Sequence, residues 1–381
     1  MLSVFDCSVK LEVAGDEPSM SDARLKVCSV VGARPQFIKA AAITLALRTV
    51  AHEVLIHTGQ HYDDAMSSVF FEQLDIPSPD YNLEVGSSSH GAQTGRMLEQ
   101  LEAVFEKERP DRVLVFGDTN STLAGALAAA KLRIPVAHVE AGLRSFNRAM
   151  PEEVNRILTD HISDLLFCPS QVAEKNLAVE GIRNGVHVVG DVMHAALEFG
   201  VERARKVSTI LARLNLKERQ YLLVTVHRAE NTDDDARLRS ILAALNDIRD
   251  PIVFPVHPRT KRAIERVGWM PKPHVQLIPP ASYIDMCALE SHARLILTDS
   301  GGVQKEAYWL GVPCLTLRDE TEWIETVEAG WNQLVGAEGE RIRKAVGSHQ
   351  QPSGSPVLYT ENHAVRSIVE LLVPIERRSG D

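Results

Sequence analysis

The stretch KVCSVVGARPQFIK, residues 26–39, decides how the rest of the chain is read. Lys26–Val31 is a short run dominated by valine, which predicts a strand buried on both faces. Gly32 then permits a tight turn. Pro35 suits the first turn of a helix, where its fixed φ fits and its missing N–H has no partner to lose. The same strand-then-helix unit recurs downstream. Apolar runs occupy Glu53–His57, Arg112–Phe116, Pro135–Val139, Asp164–Cys168 and Val186–Val189, and helical periodicity fills gaps such as Thr94–Glu106, Thr122–Lys131 and Glu152–His161. A second series runs through Tyr221–Val226, Ile252–Val256, Val275–Ile278, Leu295–Leu297 and Pro313–Leu317. The polar stretch Glu198–Gln220 between them reads as a long helix plus linker. Strands and helices alternating in two series predict an α/β chain of two doubly wound domains facing across a cleft. The expected limits are 1–24 for an N-terminal extension, 25–197 and 198–358 for the two domains, and 359–381 for a terminal helix, which follows the loop-like GSHQQPSGSP.

Composition narrows the partners. Forty-one basic residues stand against 51 acidic ones, a formal charge of −10, which disfavours nucleic acid and anionic membrane as ligands. No window approaches 18 uninterrupted apolar residues, so no membrane span is expected. The cysteines, Cys7, Cys28, Cys168, Cys287 and Cys314, are odd in number and form no CxxC pair; buried free thiols in a reducing cytoplasm are expected. Residues 1–24 carry mixed charge without an apolar stretch, unlike a secretory signal, and are expected to be poorly ordered.

In doubly wound sheets ligands bind outside the carboxyl ends of the strands, so the residues just after each run matter most. Arg34, at a helix start beside free amides, suits a phosphate or carboxylate, or is a solvated turn residue. Asp118, after Arg112–Phe116, is either a helix cap or a base. His138 and Glu140 fall on the same side by alternation and are expected to face the cleft. Glu152 and Arg156 are four apart on one helix face and can pair. Asp118, Glu140 and Glu152 together make an acid/base set in which mutual repulsion can hold some members protonated. In the second series, His227 with Arg228 and then His257 follow strand ends and fit phosphate contact, or form ordinary loops. Tyr283 and Met286 read as a base-stacking wall or as core, Met286 alone more as core.

The most specific local element is TDSGGVQKEA, residues 298–307. A strand ends, a Ser300-Gly301-Gly302 turn follows, and a helix begins. Amides unobstructed by side chains cradle a diphosphate at the positive end of the helix dipole, and Glu306, one turn further, can accept from ribose hydroxyls. Metal-ligand spacing such as HExxH is missing, and a helix dipole with Arg and His can neutralise a diphosphate alone, so no metal or cofactor is expected.

Taken together, GARPQFIK, TGQHYD, FGDTNST, HVEAGLRS, PEEVNR, TVHRAEN and TDSGGVQKEA, in order between residues 32 and 307, resemble the non-hydrolysing UDP-N-acetylglucosamine 2-epimerases. The resemblance implies two Rossmann-like domains of the glycosyltransferase-B type, a homodimer, and a last helix crossing back to the first domain. It implies Arg34 and Lys39 in the loop at the mouth of the site, Asp118, Glu140 and Glu152 as catalytic carboxylates supported by Arg156, and His227 on the phosphate and assisting catalysis. Ser300, Gly301, Gly302 and Glu306 would hold UDP, and Gln60 and His61 lie where some members bind a second, activating substrate molecule. The chain departs from the commonest bacterial pattern with Gln36 for Glu and Trp323 for Arg. With LEVGSSSHGAQTG and IPSPDYNL, these features look more like epimerases of UDP-2,3-diacetamido-glucuronic acid.

The reaction so implied inverts carbon 2 of a UDP-2-acetamido sugar, UDP-GlcNAc to UDP-ManNAc, by elimination and re-addition of UDP. A glycosyltransferase of the same fold would share the UDP cradle but needs an acceptor, a hydrolysing epimerase would release free sugar, and a sensor would bind without turnover.

Overall fold

The computed structural model describes residues 24–60, 77–349, 352 and 363–374, with Arg34 described by its backbone alone. The expected extension before Arg24, His61, and residues 359–362 and 375–381 of the expected terminal helix lie outside the described residues. Seven strands form the first sheet: β1 (Lys26–Val31), β2 (His52–His57), β3 (Tyr81–Asn82), β4 (Arg112–Phe116), β5 (Val136–Val139), β6 (Leu165–Cys168) and β7 (Val186–Val188). Their spatial order is β3-β2-β1-β4-β5-β6-β7, and neighbours run parallel. Six form the second: β8 (Leu222–Thr225), β9 (Ile252–Pro255), β10 (Val275–Ile278), β11 (Leu295–Thr298), β12 (Cys314–Thr316) and β13 (Asn332–Leu334), in the order β10-β9-β8-β11-β12-β13 and again parallel. Strand order reverses between β1 and β4 and between β8 and β11, and each reversal opens a crevice at the strand carboxyl ends. This is the doubly wound, two-Rossmann arrangement of the glycosyltransferase-B type.

Central strands are apolar on both faces because helices cover both. Val113, Leu114, Val115 and Phe116 of β4 are all fully buried. The helix Val192–Val207 runs across the 197/198 boundary expected from sequence and packs on the helix Tyr283–His292. Gly200 permits the approach: a Cβ there would stand 2.8 Å from Cys287 Sγ and 2.9 Å from the Tyr283 ring. One core cluster consequently spans both halves, from Val27 and Leu114 to Tyr283 and Ala307. The helix Ala364–Leu372 buries Ala364, Ile368 and Leu372 in that cluster, an i, i+4, i+8 stripe, and Arg112 Nη1 donates to the carbonyls of Leu371 and Leu372 at 2.9 and 2.8 Å. Cys28, Cys168, Cys287 and Cys314 are buried free thiols. Among the described residues no helix is long and apolar enough to cross a membrane.

Candidate active site

The crevice of the first sheet is built on Gly32, at the end of β1. Its need for glycine is close approach: a Cβ would lie 2.0 Å from Ser121 Oγ and 2.2 Å from Thr58 Oγ1. Gln36 braces the turn. Its Oε1 accepts from the N–H groups of Gly32 and Ala33 at 2.8 and 3.0 Å, and its Nε2 donates to the Phe116 carbonyl at 2.6 Å, tying β1 to β4. The helix Arg34–Val50 starts here, which puts Lys39 one turn in. Lys39 Nζ donates to Glu140 Oε2. Burial favours the neutral amine, but the Glu140 carboxylate overrides it and holds Lys39 above its ordinary value. Glu140 itself has a φ of +68°, a left-handed conformation that disfavours a side chain with a Cβ by roughly 1–2 kcal/mol. Strain of that kind persists where the surroundings over-determine it.

Asp118, after β4, accepts from Arg156 Nη2 at 2.5 Å, and its main-chain oxygen accepts from Asn155 Nδ2 at 2.9 Å. Arg156 does not pair with Glu152 as the i, i+4 spacing suggests. Its Nη1 donates instead to Glu153 Oε2 at 2.8 Å, because Glu153 is the buried member, also gripping the amides of Ser145 and Phe146. Those bonds, with the Arg156 cation, hold Glu153 below the usual carboxylate range against the upward push of burial. Among the described residues no hydrogen bond or ion pair engages the Glu152 side chain. His138 also differs from expectation. It is fully buried rather than facing the cleft, with Nε2 on the Gly117 carbonyl and Nδ1 on Asp160 Oδ1, each at 2.7 Å. It thereby fixes the Gly117-Asp118 turn, whose glycine has a φ of +64°. The site is built on two carboxylate–cation pairs, Asp118–Arg156 and Glu140–Lys39, rather than on carboxylates repelling one another.

The crevice of the second sheet is organised by Asp299, buried at the end of β11. One oxygen accepts from the His227 N–H at 3.0 Å and faces His227 Nδ1 at 3.1 Å; the other accepts from the Arg228 N–H at 3.0 Å and Asn231 Nδ2 at 3.1 Å. Burial, aided by the charges of His257, Arg228 and Arg259, pushes His227 below its ordinary value despite Asp299. A neutral ring donating from Nδ1 leaves Nε2 as an acceptor. Ser300 caps the helix Gly301–Trp309, its Oγ accepting from the Val303 N–H at 3.5 Å, while its own N–H goes to Thr298 Oγ1 at 2.9 Å. The Gly301 and Gly302 N–H groups, first in the helix, are left without intrahelical acceptors. Burial raises Glu306 from 4.5 to about 7, with Lys305 drawing it down.

A cavity of about 210 Å³ lies here, lined by His227, His257, Pro280, Met286, Ser300 and Val303 among others. His257 caps the helix Pro258–Val267 through Nδ1, which accepts from the Arg259 N–H at 3.3 Å. Tyr283 and Met286 exchange roles. Tyr283 is buried with its hydroxyl on the Ala196 carbonyl at 3.2 Å and belongs to the core, whereas Met286 lines the cavity. Gln60 is occupied structurally: Oε1 accepts from the N–H and Oγ of Ser121 at 3.0 and 2.6 Å.

Asp191, which sequence reading missed, joins the two crevices. It accepts from Lys305 Nζ on the second half and acts electrostatically on Lys39 of the first. Its only sequence signal is its place at a helix cap after Gly190. Asp299 was missed although it directly precedes Ser300 in the most specific motif. Among the described residues, no group of three or more His, Cys, Asp or Glu could hold a metal ion.

Facing crevices of this kind, one carrying carboxylate–cation pairs and the other a glycine turn on a helix, define an α/β enzyme of glycosyltransferase-B architecture. A family model described as UDP-N-acetylglucosamine 2-epimerase matches residues 44–373; the chain belongs to that family and is an isomerase. It is 51% identical over 355 residues to a UDP-N-acetylglucosamine 2-epimerase homolog of Methanococcus maripaludis, covering 91% of this chain and 99% of the relative. It is 50% identical over 363 residues to the UDP-2,3-diacetamido-2,3-dideoxy-D-glucuronate 2-epimerase of Pseudomonas aeruginosa, covering 92% and 100%. The Methanocaldococcus jannaschii UDP-GlcNAc 2-epimerase in complex with UDP-GlcNAc and UDP superposes with a TM-score of 0.76 at 44% identity, over 92% of this chain and 100% of that one.

Proposed function

We propose that this chain inverts carbon 2 of a UDP-2-acetamido sugar, interconverting UDP-GlcNAc and UDP-ManNAc without hydrolysis. The observation that carries the reading is the pairing of Asp118 with Arg156 and Glu140 with Lys39 at one crevice, with Asp191 paired to Lys305 on the helix that the Ser300-Gly302 turn opens at the other. Carbon 2 has no neighbouring carbonyl, so it is not acidic in the resting sugar. Breaking the bond from carbon 1 to the UDP oxygen, with the electron pair leaving on UDP, makes the hydrogen on carbon 2 removable as a proton. The products of this half-reaction are a 2-acetamidoglycal and UDP. Return of UDP to carbon 1 and of a proton to the opposite face of carbon 2 completes the inversion.

In this scheme the Gly301 and Gly302 amides and Arg228 receive the charge that develops on the leaving diphosphate, and the bound dianion favours a proton on His227 Nε2, which then donates to the same phosphate. Asp118, Glu140 and Glu152 serve as base and acid, and Arg156 and Lys39 orient two of them. Glu306 accepts from the ribose hydroxyls. Arg34 and His257 add phosphate contacts, and Gln60 and His61 are the expected activating site. A homodimer in the cytoplasm is part of the same proposal, and light scattering tests the dimer. The decisive assay is incubation with UDP-GlcNAc followed by proton NMR. A new UDP-ManNAc anomeric signal reaching a fixed ratio supports the reading; free sugar, or an unchanged spectrum, refutes it. UDP-2,3-diacetamido-glucuronate, named for the Pseudomonas relative, belongs in the same panel.

A further inference from the structure

Trp323 presents a hydrogen-bond donor that the fold does not use. Its indole Nε1 is inaccessible to solvent and has no partner among the described residues. An indole nitrogen only donates, so a buried one without an acceptor is destabilising. The atom is not stranded in the core, however. It stands 3.4 Å from the point a Cβ on Gly301 would occupy, beside Arg228 Nη2 at 3.7 Å and Glu322 Oε2 at 3.6 Å from the same point. Gly301 opens the helix whose first amides form the phosphate turn, so the N–H lies directly beside that turn.

The residue is held through its main chain and through one face of its ring. Its main-chain N–H donates to Thr321 Oγ1 at 3.1 Å, and its carbonyl accepts from Thr326 Oγ1 at 2.7 Å. Lys305 Nζ lies 4.3 Å from the centroid of the ring and 4.7 Å from that of Trp309, between two indole faces. Asp191 fixes the ammonium, and His194 stacks on Trp309 with centroids 5.0 Å apart. Lys305 is therefore neutralised and enclosed; it positions the indole and is poorly placed to meet a phosphate itself. Glu322, whose Oε2 is among the three nearest atoms at this point, is engaged by Arg318 Nη1 at 2.8 Å.

We propose that Trp323 is a substrate-contacting residue whose indole N–H donates to a diphosphate oxygen at Gly301, and that the Asp191–Lys305–Trp309 clamp is its positioning device. The inference rests on the UDP-sugar reading above and adds to it an uncharged donor that recognises phosphate without a further cation.

The test compares UDP and uridine binding to the full chain by calorimetry and ligand-detected NMR. W323F keeps an aromatic, smaller ring and deletes the donor, and the uridine arm reports the lost packing. It is expected to weaken UDP about tenfold, the loss of one hydrogen bond to a charged acceptor, and to leave uridine unchanged. K305M frees the ring and is expected to weaken UDP selectively too, with K305R restoring most of the affinity. Equal UDP affinity in wild type and W323F overturns the contact, and so does a parallel loss of UDP and uridine, which would mean ring packing alone. Unchanged UDP binding in K305M overturns the clamp. If the wild type fails to bind UDP, the UDP-sugar reading falls and this inference with it. If it binds UDP, and W323F behaves as expected, but no epimerisation occurs, only the catalytic reading falls.

Discussion

Replacing Asp118 by Asn removes one charge from the first crevice and leaves its shape intact. Asp118 accepts from Arg156 at 2.5 Å, but the two side chains are 32% and 17% exposed, so solvent screens the pair. Its loss should lower stability by at most about 1 kcal/mol. Arg156 stays anchored by Glu153 at 2.8 Å, and Asn155 holds the main-chain oxygen of residue 118 at 2.9 Å whatever the side chain. His138 continues to fix the Gly117 carbonyl at 2.7 Å. The turn should therefore survive, and a loss of rate should report chemistry. Removing a general acid or base lowers turnover by about 10²–10⁴, which is roughly 2.7–5.4 kcal/mol on the barrier. The diphosphate turn sits on the other sheet, so UDP affinity should change by less than about threefold. Turnover is read by proton NMR on the UDP-sugar, affinity by calorimetry with UDP, and stability by urea titration. Turnover within about threefold of the parent would remove Asp118 from the chemistry. A fall in UDP affinity as large as the fall in turnover would instead make it a binding residue.

Three further outcomes are expected. Gly32→Ala forces a Cβ to 2.0 Å from Ser121 Oγ and 2.2 Å from Thr58 Oγ1, so it should destabilise the chain by about 1–3 kcal/mol in urea; a midpoint equal to the parent's would show that the turn relaxes freely. Glu306 is raised from 4.5 to about 7, so between those values the folded chain holds a proton that the unfolded chain has released, and the stability this group contributes is lost as pH rises through that window. Ribose hydroxyls need its carboxylate, so UDP affinity should weaken as pH falls below about 7, and Glu306→Gln should flatten that dependence; identical pH profiles for parent and variant would refute the role. His138→Ala leaves Asp160 and the Gly117 carbonyl without their shared partner, and turnover should fall at least about tenfold through the displaced Asp118 turn; an unaltered rate would show that the turn holds itself.

Much of this architecture could be read directly from the chain. The valine- and leucine-rich runs mark strands because a parallel sheet is covered on both faces, and the glycines after them mark the crevices. The two strands that escaped, Tyr81–Asn82 and Asn332–Leu334, are too short to carry a period. Side-chain direction was less legible. Alternation aims His138 and Glu140 alike, yet β5 ends at Val139 and Glu140 turns away at positive φ, leaving His138 inside. Spacing offers Arg156 both Glu152 and Glu153, and only burial selects Glu153. Tyr283 and Met286 lie on one helix, and which of them meets the cavity depends on the helix Val192–Val207 packed against it. Asp191 is 114 residues from Lys305 and further still from Lys39, so no local pattern could join them.

The account turns on UDP leaving and returning while one proton is exchanged at carbon 2. Turnover of a UDP-2-acetamido sugar in D₂O measures this directly. The account predicts one deuterium at carbon 2 of the epimer, UDP still attached to the sugar, and the same label appearing in recovered starting material as the reaction approaches equilibrium. Epimer formed with hydrogen retained at carbon 2 would contradict it.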